Sequence, residues 1–168
     1  MHFHEGDSVM HWTHGLGKVL RMETMTLSGE KTLYYAIQIG EMTLWVPADD
    51  KLETRLRLPL RAEEFKGLMD ILSQPGELLP IDRFERKKLL LAWLEDGSAE
   101  TLFRVIRSLS TYDQAGHPLT LGDNALLKRS KKALLAEWSL SMSVPLARAE
   151  HELQHLLTSP SAQTEEHS

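Results

Sequence analysis

Histidine is the first residue type in this chain whose spacing invites a chemical reading. His2, His4, His11 and His14 fall within the opening stretch, and neutral imidazole is a common zinc ligand. His2 and His4 would share one face of an extended strand. The chain has no cysteine to complete a thiolate set, and nothing nearby fixes a closed tetrahedral arrangement. No metal is therefore expected, and His14 is read as structuring the glycine corner that follows it. The sequence holds no G-x-S-x-G elbow, phosphate loop or H-E-x-x-H helix. Catalytic residues and cofactors are not expected; the chain reads as a non-enzyme.

Binding is the chemistry that remains. The run Asp82-Arg83-Phe84-Glu85-Arg86-Lys87-Lys88 places Arg83, Arg86, Lys87 and Lys88 at the start of one helix. Such a face can neutralise backbone phosphates without reading sequence. Phe84 lies among them as an apolar group able to wedge between bases. Lys128 and Arg129 open a second basic run, Lys128-Arg129-Ser130-Lys131-Lys132. The blander reading of both runs is a solvated helix face. In the first sixty residues, Trp12, Met25, Met42 and Trp45 are large apolar groups in a segment too small to bury many of them, and exposed aromatics often mark a protein interface. The strand Met42-Thr43-Leu44-Trp45-Val46, placed at a sheet edge, could pair with a partner's strand. The competing reading is that these side chains pack inside the protein.

A length of 168 residues suits one domain or two small ones, and a hydrophobic share of 42% can fill a core. The absence of cysteine accords with a reducing compartment. The first twenty residues carry no apolar signal-peptide core, and the run Leu89 to Leu94 is too short to span a bilayer. No membrane contact is expected, and the location expected is the cytoplasm. The net charge of −5 argues against a protein that coats nucleic acid. That average conceals a segregation: residues 80–138 carry a small excess of Lys and Arg, whereas residues 139–168 hold only Arg148 against Glu150, Glu152, Glu165 and Glu166. Any nucleic-acid contact should come from the first of these two stretches.

These residues must be positioned by two kinds of element. Residues 1–60 read as strands. Gly6-Asp7 turns the chain, Ser8 to His11 alternates at period two, and Gly15 and Gly17 bend it into the strand Lys18 to Met22. A Thr/Ser/Gly loop at 26–29 leads to Thr32–Ile39, and Gly40-Glu41 reverses into Met42–Pro47. A four- or five-strand antiparallel barrel is expected, too small to enclose a ligand. From Arg61 the period becomes helical: Phe65, Leu68, Met69 and Leu72 form one stripe, stopped by Ser73-Gln74-Pro75-Gly76. Asp82 should cap the next helix, Ser98 open another, Thr120 with Asp123 form a capping box, and Ser143 cap the last. The expected fold class is α+β, a small N-terminal antiparallel barrel followed by an all-α bundle of about five helices.

The ordered set Phe3, Gly6-Asp7, Val9, His14-Gly15, Gly17, Gly29, Tyr34-Tyr35, Val46-Pro47 and Leu56-Arg57 resembles the opening domain of the CarD/CdnL family of bacterial transcription regulators. That domain is similar to the polymerase-interacting module of the transcription-repair coupling factor. Leu94-Glu95-Asp96-Gly97, Val105 to Leu109, Leu119-Thr120 and Ser143 to Ala149 continue the resemblance to about residue 157. It implies a Tudor-like barrel over 1–60, a connecting helix and linker over 61–79 and a helical DNA-contacting domain over 80–158; beyond it, the polar run 159–168 reads as a disordered tail. The resemblance also implies a monomer that docks on the β subunit of RNA polymerase through Met25, Met42, Thr43, Leu44, Trp45 and Val46. Promoter DNA would be touched weakly and without sequence preference by Arg83, Phe84, Arg86, Lys87, Lys88, Lys128 and Arg129, stabilising the open complex. The alternative is a polymerase- or protein-binding adaptor that has lost the DNA wedge. Some family members carry basic residues at the positions of Met25 and Trp45, and the family's tryptophan falls at that of Arg83, with Phe84 beside it. The apolar pair here implies a more hydrophobic polymerase contact.

Overall fold

The structure is a computed structural model that describes residues 2–158. The tail assigned to residues 159–168 lies outside the described residues. The chain forms β1 (Ser8–His11), β2 (Gly15–Leu27), β3 (Glu30–Ile39), β4 (Met42–Pro47), a single-turn helix α1 (Leu52–Arg55) and β5 (Leu56–Arg57). Then follow α2 (Ala62–Met69), a 3-10 turn (Asp70–Ser73), α3 (Arg83–Glu95), α4 (Ala99–Gln114), α5 (Leu121–Met142) and α6 (Leu146–Thr158). Among the described residues no helix is long and apolar enough to cross a membrane.

The five strands form one antiparallel sheet in the order β4-β3-β2-β1-β5. The expected closed barrel is not formed. The end strands β4 and β5 do not pair, because β5 has two residues and the single turn of α1 occupies the gap, with Leu52 in the sheet's core. A bulge between Val19 and Arg21 bends β2. Val9, Val19, Tyr35, Ile37, Val46 and Leu56 thereby meet around one apolar centre, where the Phe3 ring packs edge-on against Tyr35 at 5.6 Å. The loop expected at 26–29 shrinks to a two-residue turn, Ser28-Gly29, with both φ angles positive. Such a turn matches the strand twist, so β2 and β3 run on as a ladder to Leu27 and Glu30.

The helices divide their apolar residues between two clusters separated by α4, ten of whose sixteen residues are buried. Leu102, Phe103 and Ile106 face one cluster with Phe65, Leu72, Leu134 and Trp138; Val105 and Leu109 face the other with Leu90, Leu94 and Leu126. Phe65 and Leu72, which belong to the segment between sheet and bundle, are thus fully buried in the helical core. Asp82 accepts from the amides of Phe84 and Glu85 as an N-cap should. Thr120 and Asp123 form the reciprocal capping box. Ser143 takes a different role from the one expected: at φ 52° it ends α5 in the left-handed conformation rather than starting α6.

Sheet and helices are seated directly on each other. Trp12, at the β1–β2 corner, packs half-buried on the Leu90–Leu94–Leu126 cluster and so joins the sheet to the helices. Gly15 has φ +82°, and a Cβ there would come within 3.1 Å of the Ala133 methyl on α5. At the end of α3, Gly97 (φ +76°) would place a Cβ 2.6 Å from the Thr54 carbonyl oxygen. The polar link is Glu137 of α5, completely buried, whose carboxylate accepts from Arg57 Nη1 at 2.6 Å, Arg57 Nη2 at 2.8 Å and the Leu60 amide at 2.9 Å. The gap left between Met10, Trp12, Arg57, Leu94 and Ala133 is about 30 Å³, room for about one water.

A bidentate pair with one member fully buried is costly to break on one side only. Arg57→Met strands the Glu137 charge and should lower unfolding free energy by about 3–5 kcal/mol. Glu137→Gln keeps one acceptor oxygen but sets an NH2 donor against a donor of Arg57 or Leu60; with Arg57 still partly open to water, it should cost less, about 2 kcal/mol. Urea unfolding followed by tryptophan fluorescence reads both, and equal losses would refute the asymmetry.

Candidate binding surfaces

The sheet offers its open edge. β4 is the terminal strand, and the Gly40-Glu41 reversal pairs Ile39 with Met42 directly. In a two-residue hairpin that flanking pair is hydrogen-bonded, so every second residue thereafter faces the neighbour strand. Met42, Leu44 and Val46 accordingly turn their amides and carbonyls to β3, and Ala48 continues the pattern by donating to Leu33 at 2.8 Å. Thr43 and Trp45 turn theirs outward.

Side chains alternate across the same strand. Val46 is buried in the sheet's core, which withdraws its side chain from the partner-facing role the sequence suggests, and Leu44 is partly buried against the same core. Met42, at the strand's start, remains 41% exposed. Trp45 lies on the outer face, 43% exposed and level with Ala36 and Arg21 in the register. Its indole Nε1 donates to Glu23 Oε2 at 2.7 Å, while Arg21 Nε donates to Glu23 Oε1 at 2.7 Å. Those two bonds, Arg21's first, hold the Glu23 carboxyl below the usual carboxylate range. Sequence reasoning missed Arg21 and Glu23; the signal was a charged pair two residues apart on one strand face. Met25, expected beside a loop, instead pairs with Thr32 inside the β2–β3 ladder and is half-buried.

The helices offer a second surface where α3 and α5 begin. Arg83, Phe84, Lys87 and Lys88 are exposed on α3, and Lys128 and Arg129 on α5. Phe84 is 70% exposed, with the Arg83 guanidinium 4.9 Å from its ring centre. Arg86 was expected among these DNA-facing cations and is instead 2% exposed. Its Nη2 donates to Asp123 Oδ2 at 2.7 Å, its Nε to both Asp123 oxygens, and its Nη1 to the Pro80 and Ile81 carbonyls and to the Tyr112 hydroxyl. The helix period explains the withdrawal: Arg86 lies four residues before Leu90 and eight before Leu94, on the buried stripe of α3. Burial pushes the Asp123 carboxyl up, but the bonds from Arg86 and Thr120 outweigh it and hold the group below its ordinary range. The Asp123 hydrogen bond foremost, then its charge and the Tyr112 contact, hold Arg86 above its ordinary value.

Among the described residues no group of three or more His, Cys, Asp or Glu side chains is placed to hold an ion. His14 Nδ1 lies 3.4 Å from His11 Nδ1 and 2.8 Å from the Thr13 hydroxyl. Burial, then the charge of His14, lowers the His11 pKa to about 4. The neutral ring uses Nδ1 to accept from the Thr13 and His14 amides, tying the glycine corner.

Residues 3–57 match the protein-family model described as CarD-like/TRCF RID domain. The match spans β1 to β5 and ends at Arg57, the residue that grips Glu137. The sheet module is therefore a CarD-like/TRCF RNA-polymerase-interacting domain. That family is an interaction domain rather than a catalytic one, and it points to RNA polymerase as the partner.

The contrast between Arg86 and its neighbour yields a direct check. Arg86→Ala leaves Asp123 buried without its cation and should cost about 3–5 kcal/mol, whereas Lys87→Ala, on an exposed face, should stay within about 0.5 kcal/mol. Thermal melts by circular dichroism measure both; an unchanged Arg86→Ala melt would contradict the structural role.

Proposed function

We propose that this chain is a CarD-like transcription factor that grips the β subunit of RNA polymerase and contacts promoter DNA at the upstream edge of the bubble, stabilising the open complex. The observation that carries the reading is the free edge of β4, in a domain matched to a polymerase-interacting family, with Trp45 pinned beside it by Glu23. The outward amides and carbonyls of Thr43 and Trp45 can pair with a strand of the partner, while the Trp45 indole and Met42 bury apolar area against it. The helical module then presents Arg83, Phe84, Lys87 and Lys88 to DNA, with Lys128 and Arg129 adding charge. Weak, salt-dependent DNA affinity is sufficient, because docking on polymerase raises the local DNA concentration. A net charge of −5 limits coating of free DNA. On this reading the protein works as a monomer in the bacterial cytoplasm, on polymerase at the nucleoid.

A second reading, a polymerase-binding adaptor without DNA contact, draws on Arg86. One of the four cations on the α3 start is spent inside the protein.

Retention of the purified protein on the immobilised β lobe of its own polymerase separates these readings. Wild type should bind, Trp45→Ala should lose at least about tenfold in affinity, and Arg83→Ala/Phe84→Ala should bind as wild type does but fail to stabilise promoter opening. An unimpaired double variant in promoter opening would favour the adaptor. Failure of the wild-type protein to bind would remove the polymerase reading.

A further inference from the structure

The DNA-facing end of the helical module is concave. A groove of about 740 Å³ runs between the first turns of α3 and α5, with Arg83, Phe84 and Lys87 on one wall and Leu121 and Arg129 on the other. Its floor is apolar, formed by Leu91 and Leu126. Phe84 is 70% exposed and Leu121 90% exposed. Both side chains are far too large and apolar to be left in water at one opening without consequence.

The charge at the opening is of one sign. Arg83, Lys87 and Arg129 are exposed there. The acid that reaches the groove, Asp123, is occupied by Arg86 and by the Thr120 amide. A ligand that fits must combine negative charge with a flat or apolar body. The volume falls in the range of pockets for compact organic ligands, roughly 300–1,000 Å³, a scale suited to one or two nucleotides rather than to a helix of several turns. An intact duplex presents a convex cylinder of phosphates with its bases stacked inside, and would touch the cations while leaving the apolar floor unfilled. A single strand presents both groups at once: a base with a free π-face, and phosphates on either side.

We propose that the α3–α5 groove is a binding site for single-stranded nucleic acid, taking an unstacked base against Phe84 and Leu121 with its flanking phosphates on Arg83, Lys87 and Arg129. This rests on the DNA-contacting part of the proposed function and sharpens it: the helical module holds a melted strand and does not merely brace the duplex. It also gives α5 a role, since Leu121 and Arg129 are needed as much as the α3 residues.

Fluorescence anisotropy on the full chain tests this with a labelled twelve-nucleotide single strand, the matching duplex, and an acidic peptide of similar length carrying one phenylalanine. The variants are Phe84→Ala, Leu121→Ser, Arg129→Ala and, on the exposed face of α2, Lys66→Ala as the control. All four positions are exposed, and circular dichroism confirms that each variant is folded. At low salt the single strand should bind at least about fivefold tighter than the duplex. Phe84→Ala should weaken it by at least about fivefold with an unchanged salt slope, as loss of one stacking partner does. Leu121→Ser should weaken it by a few-fold. Arg129→Ala should weaken it and shallow the slope by about 0.7, the increment for one phosphate contact to a single strand. Lys66→Ala should stay within about twofold. Duplex bound as tightly as single strand, with Phe84→Ala and Leu121→Ser indifferent, overturns the groove proposal while leaving DNA contact by the helical module intact. Binding of the acidic peptide with neither nucleic acid overturns both, and leaves only the polymerase-binding reading of the sheet.

Discussion

The structure depends on one buried carboxylate. Glu137 sits on the long helix α5 with no exposure to solvent, and takes both ends of the Arg57 guanidinium together with the Leu60 amide. An unpaired charge in that position would be strongly destabilising, so the last strand of the sheet must stay where α5 puts it. Trp12 and the Gly15–Ala133 and Gly97–Thr54 contacts fill the rest of the seam. Fixing β5 against α5 fixes β1 through its pairing with β5, and the ladder carries that constraint across β2 and β3 to β4. The free edge at one end of the sheet is thereby held relative to the groove between α3 and α5.

The two surfaces differ in chemistry as two different partners would require. On β4 the offered groups are backbone hydrogen-bonding groups and an indole, with Arg21 and Glu23 neutralising each other beside it. Around the α3–α5 groove they are exposed cations over an apolar floor. A second buried pair, Arg86–Asp123, joins α3 to the capping box of α5 and so shapes that groove from behind. The two buried arginine–carboxylate pairs therefore have parallel roles, one setting the relation between modules and the other the relation between the helices that form the groove.

Much of this was legible in the sequence because it is local. Period-two and period-3.6 patterns located the strands and helices, Asp82 and the Thr120–Asp123 box marked two helix starts, and the glycines near residue 15 marked the corner. What was not legible depends on partners distant in sequence. Arg86 reads as a surface cation beside Lys87 and Lys88; it shares the stripe of Leu90 and Leu94, but Asp123, the partner that makes its burial tenable, lies thirty-seven residues on. Leu44 and Val46 belong to a strand whose edge is free, yet their side chains face the core, a distinction that needs the register. Trp12 looked like an interface aromatic and is one, between the protein's own two modules. Closure of the sheet failed for a similar reason: nothing in Leu52–Arg57 announces that one helical turn will stand where a ladder between β4 and β5 was expected.

The most direct test of the account is residue-resolved amide hydrogen exchange on β4, with and without the β lobe of the polymerase. The account predicts that the Thr43 and Trp45 amides exchange quickly in the free chain and become protected in the complex, while Leu44 and Val46 are protected in both states. Tight binding that leaves Thr43 and Trp45 unprotected would contradict it, because the partner would then be held by some surface other than the open edge of the sheet.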